Sequence, residues 1–308
     1  MGNLVQIFFS RYSIMEKICK ENKKYLITNI HQTSRDREGS RIHLELLVMA
    51  YCENNGLIYL GTECSKPREM PFDRDAYCKI AKLLKIPENI KSQYADDIIK
   101  QGETIFLDAA SDCLKYNLEG YPDINELLTS TVREKWIQRW WYDKKQNNEA
   151  ISIVLHIRRG DIWPETHPNR YIYNSYYMDI LKSIISKISD NYKITICSDT
   201  RLDKYSEYWK EKGFPSLTTE TFDIFTNSFS KDKIQFKINE NTDITLKRMI
   251  ESDIFIMSRS SFSYIAAIFN KGIVIYHPFW VGKLNGWLNS KDDDFENQLE
   301  TRLVDLKK

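Results

Sequence analysis

Long apolar runs are missing from this chain of 308 residues: none approaches the about 18 apolar residues that a membrane-spanning helix needs. An Asn-x-Ser/Thr sequon is missing too, which speaks against passage through a glycosylating secretory route. The six cysteines, Cys19, Cys52, Cys64, Cys78, Cys113 and Cys197, form no Cys-x-x-Cys pair and no metal-ligand spacing, so reduced thiols are expected rather than a disulfide framework or a zinc site. Charge of one sign is absent in bulk. A net charge of +1 gives no global field to draw in nucleic acid or an anionic membrane, so neither partner is expected. The opening MGNLVQIFFSRYSIM has no basic stretch of the signal-peptide kind, and Gln6 breaks the myristoylation pattern. The expectation is a cytoplasmic protein, or a catalytic domain separated from its anchor.

What is present is an ordinary globular composition, 42% hydrophobic and 28% charged, in a chain long enough for two domains. Strand-like and helix-like segments alternate along it. In the first half they are Tyr25–Ile30, a helix over 40–54 stopped by Asn55-Gly56, a strand at Leu57–Leu60, a strand at Ile105–Ala109 and a helix over 127–142. The polar run Asp143–Ala150 reads as a linker. Beyond it come strands at 151–157, 193–197, 234–238, 254–257 and 273–276, with helices near 174–189, 203–212, 243–251 and from Ser261. Such alternation predicts an α/β protein of right-handed βαβ units with parallel sheets. The expected arrangement is two Rossmann-like domains, 1–147 and 148–308, facing each other across a cleft.

The most informative stretch is Ile151–Asp161 (ISIVLHIRRGD), where a β-branched run ends abruptly in two arginines, a glycine and an aspartate. A run of this kind reads as a buried central strand, and open α/β sheets bind ligands at the carboxyl ends of their strands. Guanidinium forks match pairs of phosphate oxygens and stay charged, so Arg158 and Arg159 point to a diphosphate. His156 shares a strand face with Arg158, and Arg159, just past the strand end, is expected to turn back toward the ligand. A salt-bridged structural pair is the competing reading. Ser258–Ser263 (SRSSFS) lies between a strand-like run and an apolar helix, a geometry that cradles phosphate on backbone N–H groups or simply caps the helix.

Carboxylates supply the remaining candidates. Asp199, after Ser198 at a strand end, is placed to receive ribose hydroxyls or to cap a helix, and Asp243, at a helix start, to accept from a base edge or to cap. In the proline-bracketed loop after the arginines, Glu165 is the first choice for a general base and Asp161 the second, with Asp161 equally suited to orienting the arginines. Trp136, Trp140, Trp141 and Tyr142 suit an acceptor platform, but their helical spacing suits a core as well. Asp292–Asp294 lacks the strand context of a metal-binding acidic motif and reads as a solvated run.

HIRRGD at 156–161 resembles the His-x-Arg-Arg-x-Asp motif of the fucosyltransferase superfamily, which spans α1,2-, α1,6- and protein O-fucosyltransferases. Glu251–Phe269 is similar to that family's segment with a Ser-Ser-Phe-Ser turn, and Ser198-Asp199 to a third, shorter block. Gly39-Ser40-Arg41, opening a helix, is similar to the Gly-Asn-Gln turn after the family's first strand. The resemblance covers residues 151–280 and thins before them. It implies a GT-B fold, GDP-β-L-fucose as donor, a glycan hydroxyl as acceptor, inversion at the anomeric carbon, and neither metal nor cofactor. By position, Arg158 and Arg159 would neutralise the diphosphate, and His156 would pack on or bond to the nucleotide. Ser260, Ser261 and Phe262 would bind phosphate through turn amides, and Gly39, Ser40, Arg41 and His43 would mark the acceptor side. The chain departs from the family at Ser40, in place of asparagine, at Ile162, where the α1,6 branch is basic, and at Tyr264-Ile265, where the α1,2 branch often has a tryptophan pair. These departures leave open a related transferase with another nucleotide sugar, or a non-catalytic glycan- or nucleotide-binding protein of the same fold.

Overall fold

The computed structural model describes residues 25–28, 38–56, 58–62, 74–86, 104–107, 124–141, 150–200 and 220–306. The first half runs β1 (Tyr25–Thr28), α1 (Glu38–Asn55), β2 (Ile58–Thr62), α2 (Arg74–Leu83), β3 (Thr104–Leu107), α3 (Ile124–Leu127) and α4 (Ser130–Trp141). The second half runs β4 (Ile151–Ile157), α5 (Asn174–Ile185), β5 (Tyr192–Ser198), α6 (Asp223–Thr226), β6 (Ile234–Ile238) and α7 (Thr242–Ile250), then β7 (Ile254–Ile256), α8 (Ser261–Phe269), β8 (Ile273–Tyr276), β9 (Leu288–Asn289) and α9 (Phe295–Leu306). The chain is α/β with two parallel sheets, as the alternation predicts. The helix expected over 127–142 breaks at Leu128-Thr129 and restarts where the Thr129 hydroxyl accepts from the Val132 amide at 3.3 Å. The helix expected near 203–212 and most of the linker fall outside the described residues. No helix among the described residues is long and apolar enough to cross a membrane.

The order of the larger sheet fixes where a ligand can sit. From β4 the chain steps outward through β5 to β6, then returns to the other flank of β4 for β7, β8 and β9, giving the order β6-β5-β4-β7-β8-β9. The reversal falls between β4 and β7, which pair in parallel through Ile153↔Ile254 and Leu155↔Ile256. Helices leaving neighbouring strands there depart to opposite sides and open a crevice at the carboxyl ends of those two strands.

Two cores flank this sheet. Val154, Phe255 and Val274 pack on one face in a cluster shared by α1, α2 and α4 of the first half with α7 and α8 of the second. Ile153, Leu155 and Ile157 pack on the other with α5 and α9. The two-residue period of β4 therefore assigns even positions to the α8 side and odd positions to the α5 side. Trp136 and Trp140 belong to the first cluster, and the Trp136 ring stacks on Phe269 at 5.8 Å, so both are core residues rather than an open platform.

Asn270 holds the site's scaffold together from beneath. Its buried carboxamide donates to the carbonyls of Met249 (2.9 Å), Ile250 (3.1 Å) and Ser252 (2.9 Å) and accepts from the Gly272 amide at 2.7 Å. One side chain thus satisfies the end of α7 and sets the entry into β8. Asn270→Ala is expected to lower stability by roughly 2–4 kcal/mol, because it orphans buried carbonyls and an amide at once. Urea denaturation of the two proteins measures it, and a loss below about 1 kcal/mol would contradict this account.

Candidate functional site

Two helix amino ends meet beside the carboxyl end of β4. Ser260 caps α8, its Oγ accepting from the Phe262 amide at 3.2 Å. The first turn of α1 lies against the same turn: Ser40 Oγ is 3.5 Å from Ser261 Oγ, and a methyl group on Gly39 would stand 3.2 Å from the Phe262 amide nitrogen. Any side chain at 39 would therefore press on the Phe262 backbone, and glycine lets the two turns meet without that strain. The positive ends of two helix dipoles, from helices of 18 and 9 residues, converge on one spot, which favours an anion there.

The turn amides divide unequally. The Ser260 amide donates to the Ser258 carbonyl at 2.9 Å and the Phe262 amide to its cap, so both are spent within the protein. Of the three residues expected to offer amides to phosphate, Ser261 alone has no protein acceptor for its N–H among the described residues.

His156 sits directly behind this turn. Its Nδ1 lies 2.5 Å from Ser263 Oγ and 3.0 Å from Ser258 Oγ, the two hydroxyls lie 2.9 Å apart, and the Phe262 ring meets the imidazole edge-on at 5.6 Å. Burial, reinforced by the Arg158 charge, pulls the His156 pKa down to about 3, so the ring is neutral at physiological pH. Ser258 and Ser263 bound the serine turn singled out in the sequence, but their contact with His156 was not foreseen. The even parity of 156 put the ring on the α8 side, but nothing in one sequence says which serine of that turn it reaches.

The two arginines part company. Arg158 follows the even parity of His156 and pairs with Asp161, Nε–Oδ1 at 3.1 Å and Nη2–Oδ2 at 2.6 Å, with its side chain 20% exposed. Asp161 thus orients an arginine. Arg159 does not turn back toward the serine turn. It keeps the odd parity and enters the opposite face, where its side chain is 1% exposed and its guanidinium stacks on Tyr171 at 4.1 Å. There Nη1 donates to the Arg158 carbonyl (2.8 Å), and Nη2 to the Ile172 carbonyl (3.0 Å), Asn174 Oδ1 (2.8 Å) and Glu220 Oε2 (3.3 Å). Those acceptors engage both terminal nitrogens, while Nε is buried without a hydrogen-bond partner among the described residues.

The other candidates sort by burial. Glu165 is exposed on the loop that follows Asp161. Asp199, just beyond β5, is close enough for its charge to act on His156, whereas the Ser198 hydroxyl is spent on the Ile157 carbonyl at 2.6 Å. Asp243 lies in the first turn of α7, the helix that follows the edge strand β6. Gly39 and Ser40 reach the site, but Arg41 and His43 are buried in the packing of α1, so acceptor contact at these two is not what the structure brings together. His43 packs on Tyr264 at 5.1 Å, and burial lowers its pKa to about 4. Among the described residues no three His, Cys, Asp or Glu side chains group as metal ligands.

Opposite placement gives the arginines opposite mutant signatures. Arg159→Ala should cost roughly 2–4 kcal/mol of stability, since it strips donors from buried carbonyls and from Asn174, while Glu220, 36% exposed, recovers water. Arg158→Ala should cost less, roughly 1–2 kcal/mol, because it has a single partner, Asp161, and that pair is only partly buried. Chemical denaturation decides between them, and equal losses would contradict the assignment.

No family model matches the chain, and no curated protein matches it in sequence. Among solved structures it is similar to the catalytic domain of starch synthase IV from Arabidopsis thaliana bound to ADP and acarbose, at 10% identity over 96% of this chain and 67% of that one, with a TM-score of 0.27.

Proposed function

We propose that this chain is an inverting, metal-independent glycosyltransferase of the GT-B type, transferring L-fucose from GDP-fucose to a hydroxyl of a glycan acceptor. The observation that carries the proposal is the meeting of two helix amino ends beside His156, with the Arg158 charge near enough to act on that ring, where the strand order reverses. The family resemblance of residues 156–161 and 251–269 supplies the donor, and the α/β alternation with the polar run 143–150 supports the two-domain division, 1–147 and 148–308.

In this reaction the acceptor oxygen attacks the anomeric carbon from the face opposite the nucleotide. The bond between that carbon and the phosphate oxygen breaks, and its electron pair leaves with the diphosphate. Negative charge therefore grows on the phosphate oxygens, where a fixed guanidinium and the Ser261 amide stabilise it without reorganising. A carboxylate takes the acceptor proton, and Glu165, exposed on the loop after Asp161, fills that role while Asp161 holds Arg158. Arg159 acts at one remove by fixing the backbone from which Arg158 projects.

Incubation with a panel of sugar nucleotides in EDTA tests donor and metal independence together. Consumption of GDP-fucose, with a thermal shift equivalent to about 2.7 kcal/mol when GDP is present at about 100 times its Kd, is the expected result. Turnover of none of the panel would overturn the proposal, and turnover that returns only with added Mg²⁺ or Mn²⁺ would overturn its metal-free part. In the same assay Arg158→Ala should lower kcat by about 10²–10³-fold with the fold retained, and wild-type turnover would remove Arg158 from the mechanism.

A further inference from the structure

We infer that Ser258 and Ser263 hold His156 as the Nε2–H tautomer, making its outer nitrogen a neutral hydrogen-bond donor to the anion bound at the helix ends. The inference deepens the proposed function and rests on it for the identity of the anion, a nucleoside diphosphate. The tautomer itself follows from counting protons.

Three atoms form a closed triangle: His156 Nδ1 to Ser263 Oγ at 2.5 Å, His156 Nδ1 to Ser258 Oγ at 3.0 Å, and Ser258 Oγ to Ser263 Oγ at 2.9 Å. Both serines are buried, and Ser263 Oγ also accepts from the Ser258 amide at 3.3 Å. Suppose Nδ1 carried a proton. It would donate along the short edge to Ser263 Oγ, which would then hold two incoming hydrogen bonds and direct its own proton to Ser258 Oγ. The Ser258 hydroxyl proton would be left without an acceptor in a buried site, which costs about 1–3 kcal/mol. With Nδ1 bare, Ser263 O–H donates to Nδ1, Ser258 O–H donates to Ser263 Oγ, and every proton is placed.

The ring proton then resides on Nε2, on the side of the imidazole away from the serines, with no hydrogen-bond partner among the described residues. A neutral donor suits this position. The ring is desolvated and faces the Arg158 charge, so an imidazolium is disfavoured there, while an N–H still strengthens its bond as the leaving group gains charge. No proton changes hands, so His156 stabilises the leaving oxygen without acting as acid or base. Ser258 and Ser263 are positioning residues, because they act only through the ring.

Two-bond ¹H–¹⁵N correlation spectra of the full chain, labelled with ¹⁵N-histidine, read the tautomer directly. The His156 signals are identified by their loss in His156→Gln. The expected pattern is protonated Nε2 and bare Nδ1, unchanged from about pH 8 to about pH 5, where an ordinary histidine would titrate. A protonated Nδ1, or an imidazolium near neutral pH, would overturn the inference. That readout needs no substrate, so it stands or falls separately from the transferase assay. In Ser263→Ala the Nδ1–H form should rise and kcat/KM should drop about 10-fold, the equivalent of one lost hydrogen bond of about 1.4 kcal/mol. A folded Ser263→Ala protein with an unchanged tautomer would likewise refute the role of that serine.

Discussion

A β-strand shows its side chains to two faces in turn, and that two-residue period governs what each residue around 156–159 can do. In β4 one face is built by α5 and α9 and the other by α7 and α8, so the even residues His156 and Arg158 belong to the side where α8 begins. The odd residue Arg159 belongs to the side where α5 begins, and there its guanidinium finds the Ile172 carbonyl and Asn174. Just past Ile157 the two arginines carry this alternation on and leave to opposite faces. Under the proposed function the pair Arg-Arg divides its labour, with one cation for the site and one for the scaffold. The scaffold role demands arginine as much as the site does, since only a planar fork reaches several acceptors while its face stacks on Tyr171 at 4.1 Å.

The same constraint of close approach sets the other half of the site. For two helices to aim their amino ends at one spot, their first turns must touch. They do so through the residue with no side chain, Gly39, against the Phe262 backbone. Dipole attraction for an anion falls off within the first turn, so a displacement of an ångström or two at this contact would separate two fields that now add. Burial works in parallel. The low dielectric that keeps His156 neutral also strengthens any hydrogen bond its ring makes, and it penalises any hydroxyl left unpaired. The serine triangle is accordingly an all-or-none arrangement.

Much of this was legible in the residues alone. The β-branched run 151–157, the apolar helix after Ser260 and the alternation between them gave the parallel sheet, and the end of that run gave the candidate site its place at the carboxyl edge of β4. What was not legible depended on contacts between distant elements. That Arg159 would meet Glu220, 61 residues on, is not written in either neighbourhood. Arg41 and His43 carry polar side chains and stand in a turn-like context, yet α1 is covered on every side from 41 to 50, so polarity misled where burial decided. The acidic run 292–294, by contrast, reads as solvated and is largely exposed, with Asp294 accepting from Asn297 Nδ2 at 2.7 Å just before α9.

The pairing of Arg158 with Asp161 bears on how such a site tolerates its own charge. A lone guanidinium at the mouth of a crevice flanked by two helix amino ends would face positive potential from both, and the neutral state of His156 shows that the interior already refuses a further cation. A carboxylate at 2.6 Å offsets that repulsion while no ligand is bound and holds the fork in one rotamer. Because Asp161 uses Nε and Nη2, the remaining nitrogen, Nη1, is the one left to direct at a phosphate oxygen. Under the proposed function, Nη1 and the Ser261 amide would be the two donors that meet the diphosphate, both held in place by the protein before it binds.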